Sequence, residues 1–473
     1  MMIYIDKDAN ASLYEQVYLQ IKSGIVSGRI PESTRLPGIR TLSKTLGVAR
    51  NTVNRAYTQL AVEGYLTPHK GSGFLVEGGE DTSLKKMESS TPSDFGSHDD
   101  PSQENPGTIE YDFQYGNFPN SCFPCAVWKK HTAAVLCTAA SSCLAQYSDK
   151  QGNLSLRQEL RTYLHHSRGV CCLEEQIVIG CGLHYSLDIL CKLFGNSRKV
   201  AMEDPGYNGV RELFKNNGFS FHALAADTEG LDLTSLKSAD VCAAYVTPSH
   251  QFPYGSVLSI SKRKSLLKWA ADSSSYIIED DYDSEYRYDV NPVPSLQSLD
   301  GNDRVIYIGT FSKSLSPALR VNYMVLPKRL LAEYHRLFSS YSSPVSWLTQ
   351  EVLSRYLTAG EYAQHVRKMC SVYRKRHDVF VQECAEQFGN KVALHGRGAG
   401  LHFLLEFPDG TNIKRLIEKA EKAGVRVYSV QPFWNHSDDC PDHLIFMGYS
   451  LLDERKIREG LQILHHVWFD EIK

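Results

Sequence analysis

Short apolar runs rich in branched and aromatic residues, at 176–179, 199–203, 241–246, 275–278, 305–308 and 321–326, alternate with helical segments at 186–194 and from Gly209 onward. Runs of that kind are what strands covered on both faces require, so the region predicts an α/β domain with a mostly parallel sheet under helices. In such a sheet ligands collect beyond the carboxyl ends of the strands. Those ends are therefore the positions to inspect.

Each of them carries chemistry. After Ile179 comes Gly180-Cys-Gly182-Leu183-His184, opening a helix whose free amides and dipole suit an anion. After Met202, the turn Glu203-Asp-Pro-Gly-Tyr207 presents an aromatic ring, and after Val246 the chain reads Thr247-Pro-Ser-His250-Gln251-Phe252-Pro253. Glu279-Asp280-Asp281-Tyr282-Asp283 follows Ile278, and a carboxylate buried there needs a cationic partner. Gly309 ends the next strand, and Thr310-Phe-Ser312-Lys313 then sets a lysine among small hydroxyls, with Arg320 downstream. A lysine so placed suits an amine that forms a Schiff base while hydroxyls and guanidinium hold a phosphate. Taken singly, each of these features also reads as an ordinary loop or solvated charge. Jointly, a phosphate cradle, an aromatic plate, a carboxylate beside a phenol, and a loop lysine are what pyridoxal 5′-phosphate needs.

A chain of 473 residues exceeds one ordinary core, so at least two domains are expected. Its 42% hydrophobic and 22% charged residues describe a globular protein. No apolar run approaches a membrane span and the first residues lack a signal-peptide layout, so the expected location is the cytoplasm, with no membrane partner. The twelve cysteines then read mostly as reduced core thiols. Cys122-Phe-Pro-Cys125 lacks the second ligand pair a zinc site requires, and no metal is expected.

The net charge of −3 says little, but its distribution says more: between Pro31 and Val76 six basic residues stand against two acidic ones. Leu13, Val17, Ile21 and Ile25 share one face of a first helix closed by Gly28, and a short second helix at 41–46 ends at Gly47. A third runs from Ala49 to about Gly64, with Val53, Ala56, Tyr57 and Leu60 as its buried stripe, which leaves Arg50, Asn51, Thr52, Asn54 and Arg55 exposed near its start. This is a helix-turn-helix, and 65–76 reads as a hairpin wing beside it. Residues 1–77 form this module, 78–109 are polar and acidic enough to be a flexible linker, and 110–473 form the large domain.

Leu36-Pro37-Gly-Ile-Arg40, Leu46-Gly47-Val48-Ala-Arg50-Asn51-Thr52-Val53 and Gly64-Tyr65-Leu66 with Gly71-Ser72-Gly73 resemble a GntR-type winged helix. The large domain resembles a fold-type I aminotransferase, and the fusion is similar to the MocR subfamily of GntR regulators. The first resemblance implies contacts to double-stranded operator DNA from Arg35, Arg40, Arg50, Asn51, Thr52 and Arg55, with the wing around Lys70 and Gly71. The second implies Lys313 as the Schiff-base lysine of pyridoxal 5′-phosphate, Asp280 opposite the ring nitrogen, Tyr282 at the ring oxygen and Tyr207 stacked on the ring. It places the phosphate on the amides of Gly182 and Leu183 and on Thr310, Ser312 and Arg320.

Departures matter. Phe252 precedes Pro253 where aminotransferases usually have asparagine, which leaves His250 or Gln251 to contact the ring oxygen. Residues 444–450 contain no arginine where such enzymes grip a substrate α-carboxylate. Arg426 is a substitute that also reads as an exposed strand charge, and Asn322 replaces a small residue without derivable consequence. The expected function is a homodimeric transcription regulator whose aminotransferase-like domain senses an amine, an amino acid or the cofactor itself. The alternative is a working aminotransferase with an accessory DNA module, and a cofactor-free DNA-binding scaffold is the weaker third reading.

Overall fold

The computed structural model describes residues 3–6, 11–69, 73–77, 109–119, 122–138, 144–195, 199–228, 230–288 and 293–470. Lys70, Gly71 and residues 78–108 of the expected linker lie outside the described residues. The chain divides into two compact units, 1–103 and 104–473.

In the first unit helix α1 (Leu13–Val26) starts with a reciprocal cap: Ser12 Oγ accepts the Glu15 N–H, and Glu15 accepts the Ser12 N–H at 2.9 Å. Helix α2 (Ile39–Leu46) stops at Gly47, whose φ of 65° is the left-handed turn that launches α3 (Arg50–Val62). The stripe expected on α3 is the buried one: Val53, Ala56, Tyr57 and Leu60 are sealed against Val17 and Ile21 of α1 and Leu42 of α2. The wing is a three-stranded antiparallel sheet of β1 (Arg35–Leu36), β2 (Leu66–His69) and β3 (Gly73–Val76), in the order β1-β3-β2. The two-residue β1 has no periodicity to betray it in the sequence. It is recruited by pairing Arg35 with Leu75 and Leu36 with Phe74.

The second unit opens with β4 (Tyr111–Asp112) and is built on an eight-stranded sheet. Its strands are β5 (Ile177–Gly180), β6 (Lys199–Asp204), β7 (Ser220–Asp227), β8 (Gly230–Leu231), β9 (Ala243–Val246), β10 (Tyr276–Asp281), β11 (Val305–Thr310) and β12 (Asn322–Val325), in the order β5-β12-β11-β10-β9-β6-β7-β8. Pairs among β11, β10, β9, β6 and β7 are parallel, whereas β12 runs against both β11 and β5. The connection 311–321 is shorter than the roughly dozen residues a parallel crossover needs, so the chain turns straight back. One face of the sheet buries Val178, Met202, Tyr245, Ile278, Ile308 and Met324, and the other buries Ile177, Ile179, Ala244, Val246, Ile277, Val305 and Tyr323. A smaller antiparallel sheet, β13 (Ala393–His395), β14 (His402–Glu406), β16 (Tyr428–Ser429) and β17 (Leu444–Gly448), lies in the carboxyl-terminal third, with β15 (Val425–Arg426) pairing in parallel with β4. Among the described residues no helix is long and apolar enough to cross a membrane.

Candidate functional site

A cavity of about 310 Å³ opens at the carboxyl ends of β5, β9, β10 and β11. Because β12 is reversed, it meets the cavity with its amino end, at Asn322. Gly182, Leu183, Tyr207, Asp280, Tyr282, Thr310, Ser312, Lys313 and Arg320 are all brought to its walls. His250 is not.

Lys313 lies in a tightly held turn. Phe311 N–H donates to Val321 O, Thr310 Oγ1 accepts the Ser312 N–H at 3.1 Å, and the Tyr286 hydroxyl donates to the Lys313 carbonyl at 2.9 Å. Its ammonium stands 4.2 Å from the ring centroid of Tyr115. Burial pushes this amine down to about 8, against the opposing pull of the Asp283 and Asp280 carboxylates. A neutral amine is the nucleophilic form, so the cavity prepares the lysine for attack on a carbonyl.

The pleat of β10 separates its three carboxylates. Glu279 and Asp281 face away from the cavity: Asp281 takes Arg168 Nε at 2.6 Å and the Tyr307 hydroxyl at 2.6 Å, and Glu279 accepts the Leu296 and Gln297 amides. Asp280 faces the cavity, with the Tyr245 hydroxyl donating to it. The cationic partner expected of this cluster therefore belongs to Asp281. Burial raises Asp280 to about 7, leaving it short of a cation. A ring N–H⁺ is the kind of donor that would hold it ionised.

At the phosphate corner Gly182 has φ 131°, and a side chain there would lie 2.3 Å from the Arg320 guanidinium. This close approach needs glycine. The Gly182 N–H already donates to Asn322 Oδ1 at 2.9 Å, and Asn322 Nδ2 donates to Ser186 Oγ at 2.8 Å. Asn322 thus acquires the role the sequence did not disclose: it locks the turn, leaving the amide of Leu183 at the helix start as an available donor. Arg320, itself at φ 51°, makes no ion pair among the described residues. A corner with an uncommitted guanidinium, hydroxyls and a helix amino terminus fits a phosphate.

On the ring side, Tyr207 caps helix Asn208–Asn216 and is 40% exposed, with its ring edge-on to Phe252 at 6.0 Å. The Tyr282 hydroxyl donates to His250 O at 2.8 Å and lies 3.0 Å from His250 Nδ1. His250 is buried behind Tyr282, with Nδ1 2.9 Å from Asp283, and Gln251 spends its amide on the Pro205 and Phe252 carbonyls. Phe252 and Thr247 line the cavity from that loop instead. Tyr115, His184, Tyr245, Thr247, Phe252, Ile308 and Asn322 are the wall residues the sequence reading did not assign to the site. Tyr245 could have been found by strand alternation in β9. Tyr115 precedes every strand of the large sheet and carries no local signal; its hydroxyl is buried without a partner among the described residues.

In the amino-terminal unit Arg35, Arg40, Arg50, Asn51 and Arg55 are exposed and Thr52 is half-buried. Arg55 is not wholly free, because its guanidinium lies 5.0 Å over the Tyr14 ring.

Residues 110–427 match the family model for aminotransferase class I and II, and residues 13–76 match that for bacterial regulatory proteins of the gntR family. The large unit resembles the crystal structure of Pyrococcus horikoshii kynurenine aminotransferase in complex with PMP, with 25% identity, 77% of this chain and 92% of that one covered, and a TM-score of 0.70. Fold and cavity thus define a pyridoxal-phosphate-type aminotransferase domain joined to a helix-turn-helix, and pyridoxal 5′-phosphate is the cofactor of this class. Over 98% of both chains the protein is 38% identical to an uncharacterized HTH-type transcriptional regulator, YdeL, of Bacillus subtilis (strain 168). It is also 31% identical, over 98% of this chain and 95% of the other, to a probable rhizopine catabolism regulatory protein, MocR, of Rhizobium meliloti. The chain belongs to the MocR-like subfamily of GntR transcription regulators.

Proposed function

We propose that the protein is a homodimeric, cytoplasmic regulator that binds operator DNA through its amino-terminal unit and senses a small amine through the cavity around Lys313. The observation that carries this reading is a lysine of depressed basicity in a cavity built for pyridoxal 5′-phosphate, in a chain whose other unit presents basic side chains on a recognition helix. Bound cofactor supplies an electrophilic carbonyl carbon. Lys313 would attach to it, Asp280 would hold the ring nitrogen protonated, and Tyr207 would cover the ring. Arg320, Thr310, Ser312 and the Leu183 amide hold the phosphate, with Gly182 giving the guanidinium room. Tyr282 serves the ring oxygen, with His250 supporting its phenol from behind. Arg35, Arg40, Arg50, Asn51, Thr52 and Arg55 contact DNA, joined by the Lys70–Gly71 wing tip.

A small amine reaching the Lys313 end of the cavity would shift the unit between states of different operator affinity. Leu144 and Tyr147, 59% and 93% exposed, support a face that a second copy covers. The test combines operator binding with turnover. Protein that prefers its own promoter DNA, responds to amines and does not cycle amino acids with a keto acid supports the regulator. Many-cycle transamination without promoter preference defeats it in favour of the enzyme.

A further inference from the structure

Resting on that sensor reading, we infer that the cavity's second ligand, beside the cofactor, is a small primary amine with an apolar or aromatic body and no carboxylate. Charge is the first argument. Among the described lining residues only Lys313 and Arg320 belong to the strongly basic types, and the cofactor's carbonyl and phosphate would engage both. Buried carboxyl groups crowd the same region: Asp280 lines the cavity, Glu203 stands behind Thr247, and Asp283 lies beside His250. An incoming carboxylate would lose water and meet this field with no lysine or arginine of its own, His184 being the one further basic side chain among the described wall residues.

Two arginines elsewhere in the unit are committed. Arg426 holds Glu421 at 3.1 Å, and Arg211 donates to the Gly206, Phe433 and Trp434 carbonyls. Neither lines the cavity. The stretch 444–450, where the resemblance to aminotransferases leads one to expect an arginine, is instead aromatic behind the wall: Phe446 of β17 packs at 5.6 Å from Phe252 and 5.8 Å from Tyr115, both of them wall residues, and at 5.2 Å from Phe433.

The second argument is positive. Tyr115, Tyr207, Tyr245, Phe252 and Tyr282 give the wall its aromatic character. The structure already shows an ammonium resting on one of these faces, since Lys313 Nζ lies 4.2 Å from the Tyr115 centroid. A ligand ammonium reaching that ring would find the same cation–π surface, and its carbon chain would find rings rather than charge.

Isothermal titration calorimetry on the full-length protein loaded with pyridoxal 5′-phosphate tests this with matched probes: 2-phenylethylamine against L-phenylalanine, and butylamine against 2-aminopentanoate and 5-aminopentanoate. In each set the carboxylate-free amine is expected to bind at least about tenfold more tightly. In Phe446→Arg the preference should reverse. Should that variant fail to bind cofactor, the wild-type comparison decides alone. Equal or tighter binding of the amino acids overturns the inference, because a cation from elsewhere, including a second copy, then holds the carboxylate. Absence of heat from every probe overturns it too. Operator affinity measured with the same amines separates the two readings: tight amine binding that leaves operator affinity unchanged sinks the sensor role and sustains the ligand class.

Discussion

Lys313 and Gly182 are the residues whose chemistry is most exposed to test. The lysine's ordinary value of 10.5 falls to about 8 in the folded chain, so between those values the unfolded chain binds the extra proton and folding is favoured as pH rises through that window. The same shift governs capture of cofactor by the apoprotein. Its rate, followed by stopped-flow at the visible absorbance band, should climb with pH and level off above about 8, since only the neutral amine attacks. In Asp280→Asn the rise should move to lower pH, because one of the carboxylates holding the proton on Lys313 is gone. An unshifted profile would remove Asp280 from that role. In Lys313→Ala borohydride should fix no pyridoxyl group on the chain, whereas it labels the wild type at that residue. Gly182→Ala places a methyl against the Arg320 guanidinium at a φ foreign to alanine. Losing that charge-assisted contact, about 1.5–3 kcal/mol, should weaken cofactor binding about 10- to 100-fold by fluorescence titration, with secondary structure intact by circular dichroism.

Among the elements, α3 joins two readouts that mutation can separate. Arg50→Ala on its exposed face should weaken operator binding by about 1–3 kcal/mol and reduce the salt dependence, leaving the cofactor spectrum unchanged. Leu60→Ala on its buried face should destabilise the amino-terminal unit by about 2–5 kcal/mol in urea melts. This helix was legible because its apolar spacing is local and its ends carry Gly47 and Gly64. The strand ends of the large sheet were legible for a similar reason, each being an apolar run stopped by polar or glycine residues. What escaped was set by partners distant in sequence. Two-residue β1 exists only because β3 pairs with it, and the use of Tyr115 in the wall depends on β4 being drawn to β15, some three hundred residues later. His250 read as a ring contact because its motif borders the site, yet packing against Gly400 and Asp283 sets it behind Tyr282.

As a whole molecule, the proposed dimer presents two recognition helices. Sedimentation should give twice the 53.2 kDa chain mass, and footprinting upstream of the protein's own gene should protect two half-sites. A monomer occupying one half-site would break that picture. Reversed strand β12 ties the colour of bound cofactor to local order in the sheet. Its first residue braces the Gly182 turn from β5, and the loop leading to it carries Lys313 and Arg320 from β11, so three neighbouring strands must keep register for bound cofactor to hold its colour. The chromophore is therefore an optical gauge of order at one corner of one unit. Melts followed by colour should report the β5-β12-β11 corner and stay silent on the DNA-binding unit, whose own loss of structure must be read by another signal.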